Sequence, residues 1–161
     1  MKYIYFFGDN KTEGKKELKD LLGGKGANLA EMANIHIPIP PGFTISTVAC
    51  KHYNQENNTL TKEMHTEIQQ NIEKLEESTQ KTFGDPTNPL LLSVRSGAAV
   101  SMPGMMDTIL NLGLNDSVVK GLSEQSNNPQ FACDSYRRVI QMFGNVVMVI
   151  CHEKFENILK E

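Results

Sequence analysis

The stretch from Leu90 to Leu114 constrains this chain more than any other. Its opening run, Leu90 to Val94, is apolar with a β-branched end, the pattern of a buried strand. Thr108 to Leu112 alternates and predicts a second strand. The segment between them is too long for a tight hairpin and too rich in small residues to build a core. It begins at Arg95, continues through Ser96, Gly97, Ala98, Ala99, Val100, Ser101 and Met102, and turns at Pro103-Gly104 before Met105. Proline presets φ for the second turn position and glycine supplies the positive φ of the third. Small side chains let backbone N–H groups approach an anion, and Arg95 adds a rigid fork of donors suited to phosphate oxygens. The plainer reading is a loop whose arginine pairs with a surface carboxylate.

Phosphate binding of this kind has to be local. The 161 residues carry a net charge of −3, which supplies no field for nucleic acid or an anionic membrane surface. Hydrophobic content of 39% and charged content of 22% suit a soluble globular domain. Three cysteines, Cys50, Cys133 and Cys151, form no CxxC pair. They suit a reducing compartment and are expected to fill core space. The four histidines lack metal-ligand spacing and read as surface or half-buried residues. The apolar run Met1 to Phe7 is too short for a signal segment and reads as a first strand, and no later run reaches membrane-span length. The expectation is a cytoplasmic chain with neither nucleic-acid nor membrane partners.

In order along the chain, Gly23-Gly24-Lys25-Gly26 opens a helix with Leu29, Met32 and Ala33 on one face. Lys25 then sits where the positive end of the helix dipole disfavours a cation unless an anion joins it. The segment is not a Walker A loop, because Gly26 and not Ser or Thr follows the lysine. A glycine-rich turn with a solvated lysine is the competing reading.

The prolines of residues 37–42 end that helix. They lead into a half-buried strand at Phe43 to Thr47 and a short helix around Val48 to Tyr53. Leu60, Met64, Ile68, Ile72 and Leu75 mark a long scaffold helix reaching toward Phe83. Asn115, Asp116 and Ser117 are N-cap candidates for a helix to about Leu122. Gln130 to about Ile150 predicts a long helix whose apolar side is Phe131, Tyr136, Val139, Ile140, Phe143, Val147 and Ile150. Near its start Asp134 and Arg138 form an i,i+4 pair. His152 to Glu161 continues amphipathically and stops without a cap, so the chain reads as cut. The clearest composition boundary lies near Leu114, between a mixed α/β part (1–114) and a helical part (115–161).

Two long segments, Leu22 to Met32 and Ser93 to Asp116, together with Pro40-Pro41-Gly42-Phe43 and Asp134 to Arg138, resemble pyruvate, phosphate dikinase. Phosphoenolpyruvate synthase shares a GGK-type and a VRS segment but lacks the Ser-Met-Pro-Gly-Met-Met run, so the dikinase is preferred. The resemblance implies an α+β fold, the N-terminal portion of an ATP-grasp domain (a mixed sheet with flanking helices) followed by a helical subdomain. It implies ATP as substrate, Mg²⁺ as helper and AMP as a product. In the family ATP donates its β-phosphate to a histidine on a swivelling domain. Orthophosphate takes the terminal phosphate, and the phosphohistidine later phosphorylates pyruvate at a barrel domain, in an enzyme expected to be a homodimer.

By the resemblance Lys25 and Arg95 contact the ATP phosphates, residues 96–105 cover them, and Arg137 and Arg138 are second-rank candidates. No match to the family's phosphorylatable-histidine motif is found in these residues, and by the resemblance the half of the ATP-grasp domain that carries the metal-holding carboxylates is expected outside them. The chain is therefore expected not to turn over alone. A non-catalytic nucleotide-binding or interaction module from a split gene is the alternative of another class, and a phosphoenolpyruvate synthase-like kinase is the third reading.

Overall fold

The structure, a computed structural model, describes residues 1–8, 11–97 and 107–160. It divides into two compact units, one formed mainly by residues 1–80 and the other by residues 81–96 and 106–161. This division lies upstream of the composition boundary near Leu114, because the second strand pair packs with the helices that follow it.

In the first unit, β1 (Ile4–Phe7) pairs antiparallel with β2 (Gly42–Ile45), Ile4 facing Ile45 and Phe7 facing Gly42. Between them the chain makes a 3₁₀ turn at Lys16–Leu18 and then α1 (Lys19–Asn34). Two further helices follow, α2 (Thr47–Gln55) and α3 (Lys62–Thr79). Both start where a hydroxyl accepts a backbone N–H: Ser46 from Ala49 and Thr61 from Met64. The core gathers Tyr3, Ile4, Ala49 and Met64, with Phe43, Val48 and Ile68 against it. A fully buried Ile4 or Met64 contributes about 1.5–3 kcal/mol by leaving water.

A two-stranded sheet leaves edge N–H groups that need acceptors. On β1 they find carboxylates. Glu67 Oε2 on α3 accepts from Tyr3 N at 2.8 Å and Ile4 N at 2.9 Å. Glu13 Oε2 accepts from Phe6 N at 2.8 Å, and Glu13 also pairs with Lys2 at 2.8 Å. Burial pulls the Glu13 carboxyl up. The bonds from Lys2 and Phe6 outweigh that pull and hold it below the usual range.

In the second unit β3 (Leu92–Arg95) pairs antiparallel with β4 (Thr108–Leu112), with a register shift between Leu92 and Val94. The residues predict a buried strand here followed by a second strand, and the resemblance implies a mixed sheet. The described strands instead form two separate antiparallel pairs, and β3 is largely exposed after Leu92. Two strands alone cannot cover both faces of their own sheet, so Val94 remains 45% exposed.

Three helices follow: α4 (Asp116–Ser126), α5 (Pro129–Val146) and α6 (His152–Lys160). Asn115 Oδ1 accepts from Ser117 N and Val118 N, and Asn128 caps α5 with Pro129 in its first turn. The Tyr136 hydroxyl donates to Asp116 at 2.8 Å and ties α5 to α4. Leu114, Val118 and Val139 form the core.

Two faces differ from the sequence pattern. On α1 the buried positions are Leu22, Gly23, Gly26, Ala27 and Ala30, while Leu29, Met32 and Ala33 are half-buried. On α5 they are Ala132, Ser135, Val139 and Gly144, while Phe131, Ile140, Phe143 and Val147 are exposed. In both helices small side chains allow the closest approach, so the tight face is not the most apolar one. Nor does α5 reach Ile150, since it ends at Val146. All three cysteines are exposed, contrary to expectation. In α2 and α5 it is the neighbouring Ala49 and Ala132 that occupy the core.

Two outcomes test the edge carboxylates. Glu67→Ala leaves two strand N–H groups without their acceptor and is expected to cost about 1–3 kcal/mol, read as a lower urea midpoint at unchanged slope. An unmoved midpoint would show that water replaces the carboxylate. Glu13, whose folded value is depressed, contributes stability that is present above the ordinary glutamate range and is lost as pH falls through the depressed value. Acid titration of Glu13→Gln should therefore show a shallower stability loss over that window, and a curve parallel to the parent's would refute the role.

Candidate functional site

Lys25 depends on a break in α1. At Gly23 the backbone leaves helical geometry, with φ 69° and ψ 166°, a region that glycine enters without steric cost. The helix resumes at Gly24, so Lys25 stands in the first turn of the run ending at Asn34, with its side chain exposed. Gly26 then meets β2 closely. A Cβ there would come within 2.7 Å of Thr44 Cγ2 and 2.8 Å of its Oγ1. That contact sets which way the turn faces: Gly26 inward, Lys25 outward. A cation at the positive end of a helix dipole is a local cost that a bound anion would offset.

Arg95 is the last residue of β3, facing Thr108 across the hairpin, and is exposed. Directly after it, Ser96 donates from both its backbone N–H and its hydroxyl to the Asp107 carbonyl, at 3.1 and 3.2 Å. These two bonds close the hairpin's base. Ser96 and Gly97 of the expected phosphate-covering loop are therefore described and exposed. Ala98, Ala99, Val100, Ser101, Met102, Pro103, Gly104 and Met105 lie outside the described residues.

The other two arginines have a different setting. Arg137 places Nε and Nη2 on Asp134 Oδ1 at 3.0 and 2.7 Å, and Nη1 on Gln141 at 2.9 Å. Arg138 Nε reaches Asp134 Oδ2 at 2.8 Å, the i,i+4 pair expected from the sequence. The hydrogen bond from Arg137, joined by that from Arg138, holds the Asp134 carboxyl below its usual range. One carboxylate thus clamps both guanidiniums. Among the described residues no ion pair engages Arg95. Arg95 retains the fork geometry suited to an incoming phosphate, whereas much of the donor capacity of Arg137 is committed to its own helix.

Lys25 and Arg95 belong to different compact units. Among the described residues no three His, Cys, Asp or Glu side chains come together as a metal site requires. Among the same residues no helix is long and apolar enough to cross a membrane. The sequence pointed to the Lys25 turn and the Arg95 strand end. It did not show the Ser96–Asp107 closure, because the acceptor is a main-chain carbonyl that any residue at position 107 would supply.

Comparison with known proteins connects both segments. A family model described as pyruvate phosphate dikinase, AMP/ATP-binding domain, matches residues 19–65 and 58–152 and so spans Lys25 and Arg95. The chain is 58% identical over 159 residues to pyruvate, phosphate dikinase 1, chloroplastic, of Oryza sativa subsp. japonica, covering 99% of this chain and 17% of that relative. It is 51% identical over 160 residues to pyruvate, phosphate dikinase of Rhizobium meliloti (strain 1021), covering 99% and 18%. It is 56% identical over 159 residues to pyruvate, phosphate dikinase 1, chloroplastic, of Zea mays, covering 99% and 17%. The chain thus spans about a sixth of the length of the curated relatives it matches. With the match running from residue 19 to residue 152, well over half of its length, the chain belongs to the pyruvate phosphate dikinase AMP/ATP-binding domain family.

Proposed function

We propose that this chain supplies phosphate-contacting groups to the ATP site of an enzyme with pyruvate, phosphate dikinase chemistry. ATP and orthophosphate react with a histidine on a domain outside this chain, giving phosphohistidine, AMP and diphosphate. The phosphohistidine then converts pyruvate to phosphoenolpyruvate. In this reading residues 1–114 form part of an ATP-grasp fold and residues 115–161 a helical subdomain. The remaining domains and a second subunit complete the enzyme, and this chain alone does not turn over.

The observation that carries the reading is an exposed cation in the first turn after a glycine break, inside a family match that also spans Arg95. Lys25 and Arg95 would neutralise charge on the transferring phosphoryl group, a task of positioning and electrostatics. The loop of residues 96–105, anchored at Ser96, would exclude water above it. Arg137 and Arg138 stand second because Asp134 already holds them. Among the described residues no cluster of His, Cys, Asp or Glu fits Mg²⁺, and in this reading its ligands come from parts of the enzyme outside this chain.

Calorimetry of ATP with Mg²⁺ tests the site. The expected result is weak binding, in the millimolar range where the free energy is about −4 kcal/mol. Each charge-assisted hydrogen bond contributes roughly 1.5–3 kcal/mol. Lys25→Ala or Arg95→Ala should therefore weaken binding by about tenfold to a hundredfold, and the double variant should abolish the heat. Unchanged affinity in the double variant, with its circular dichroism intact, would reject these two residues as the phosphate contacts.

A further inference from the structure

The pairing of β3 with β4 is broken at one point, just before the strand reaches Arg95. Leu92 faces Leu112, but Val94 faces Ile109 and Arg95 faces Thr108. Ser93 is thus opposed by two residues, Leu110 and Asn111, which is a β-bulge. Asn111 makes it, with φ 56° inside a strand. This is left-handed backbone, which asparagine enters more readily than most residues and which a β-branched residue resists. Leu114 N donates to the Asn111 carbonyl at 3.2 Å, so the chain turns directly after the bulge.

The bulge decides which side of the hairpin Arg95 occupies. Residues directly opposite one another share a face, and a slip of one residue exchanges the faces. Counted from the Leu92–Leu112 pair without a break, Arg95 would oppose Ile109 and Val94 would oppose Leu110. Ile109 is only 7% exposed, on the strand that packs against α5. An unbroken ladder would therefore bring a guanidinium to the face that meets the core, or turn Ile109 out of it. Either is costly. With the bulge, Leu92, Val94, Ile109 and Leu112 share one face, and Arg95 stands on the other beside Thr108, exposed.

We propose that Asn111 is a positioning residue for the phosphate site, its left-handed backbone setting the bulge that keeps Arg95 on the face away from Ile109. It acts through Arg95 and makes no phosphate contact of its own. The effect is carried by the backbone and not by the amide, so glycine replaces asparagine and valine does not. The inference rests on the reading of Arg95 as a phosphate contact and adds the residue that directs it.

Two NMR readouts on this chain test it: cross-strand contacts between main-chain protons, which report the register, and phosphorus shifts of ATP with Mg²⁺, which report affinity. Asn111→Val should exchange the Arg95–Thr108 contact for Arg95–Ile109 and weaken binding about tenfold, as Arg95→Ala does. Asn111→Gly should keep the parent's register and affinity. In an Arg95→Ala background Asn111→Val should weaken binding no further, a dependence that a merely structural role would not show. An unchanged register in Asn111→Val overturns the proposal. So does an Asn111→Gly chain that binds as weakly as Asn111→Val, or a double variant whose losses simply add. Should the valine variant not fold, Asn111→Ala, which strains the same conformation less, takes its place with the same expectations. Parent-like binding by Arg95→Ala would reject Arg95 as a phosphate contact and the proposal with it, while the register contacts would still report separately what Asn111 does to the strand.

Discussion

The close contact between Gly26 and Thr44 is the constraint on which the first unit's candidate site depends. Gly26 brings the α1 backbone close to β2, with Ala27 and Ala30 buried on the same helix, and any larger side chain at Gly26 would have to push Thr44 aside. Because the helix is held on that face, Lys25, one residue before Gly26, is directed outward. The positive φ at Gly23 is part of the same arrangement, since it lets the chain restart the helix immediately before the lysine. Packing and chemistry are thus written into adjacent residues, and the lysine's exposure follows from the glycine's burial.

Electrostatic pairing separates the arginines in a comparable way. Asp134 is three residues before Arg137 and four before Arg138, so one helical turn brings both guanidiniums onto its two oxygens. Arg95 sits at a strand end beside a closed hairpin base, and among the described residues no ion pair engages it. A guanidinium already neutralised by a carboxylate has less to offer a phosphate, and this contrast ranks Arg95 first without appeal to any relative. The family match then gives the same strand end a nucleotide-binding context.

The two units solve the problem of small sheets differently. In the first, the edge of β1 is met by side-chain carboxylates from Glu13 and Glu67, which take the place of a third strand. In the second, the hairpin leans on α5 and leaves β3 open to solvent beyond Leu92. Both solutions keep the sheets narrow. The cost of that narrowness is open apolar surface, with Val94 on β3, Ile140 on α5 and Ile158 on α6 exposed.

The amino-acid sequence by itself determined where four of the helices begin. Ser46, Thr61, Asn115 and Asn128 each carry a side-chain acceptor that selects a helix start locally, and Pro129 adds a preset φ. The glycine turn before Lys25 and the strand that ends at Arg95 were likewise legible, because both depend on neighbours in the chain. Which helix face is buried was decided only by tertiary structure. Periodicity reports where large apolar groups lie and finds Val139, but beside Val139 and Leu22 the buried positions of α5 and α1 are glycine, alanine and serine, which carry almost no apolar signal. The cysteines were misjudged for the same reason, since burial is set by what stands opposite a residue. The edge carboxylate Glu67 was equally invisible, because its partners Tyr3 and Ile4 lie more than sixty residues away in sequence and meet it only once α3 has packed.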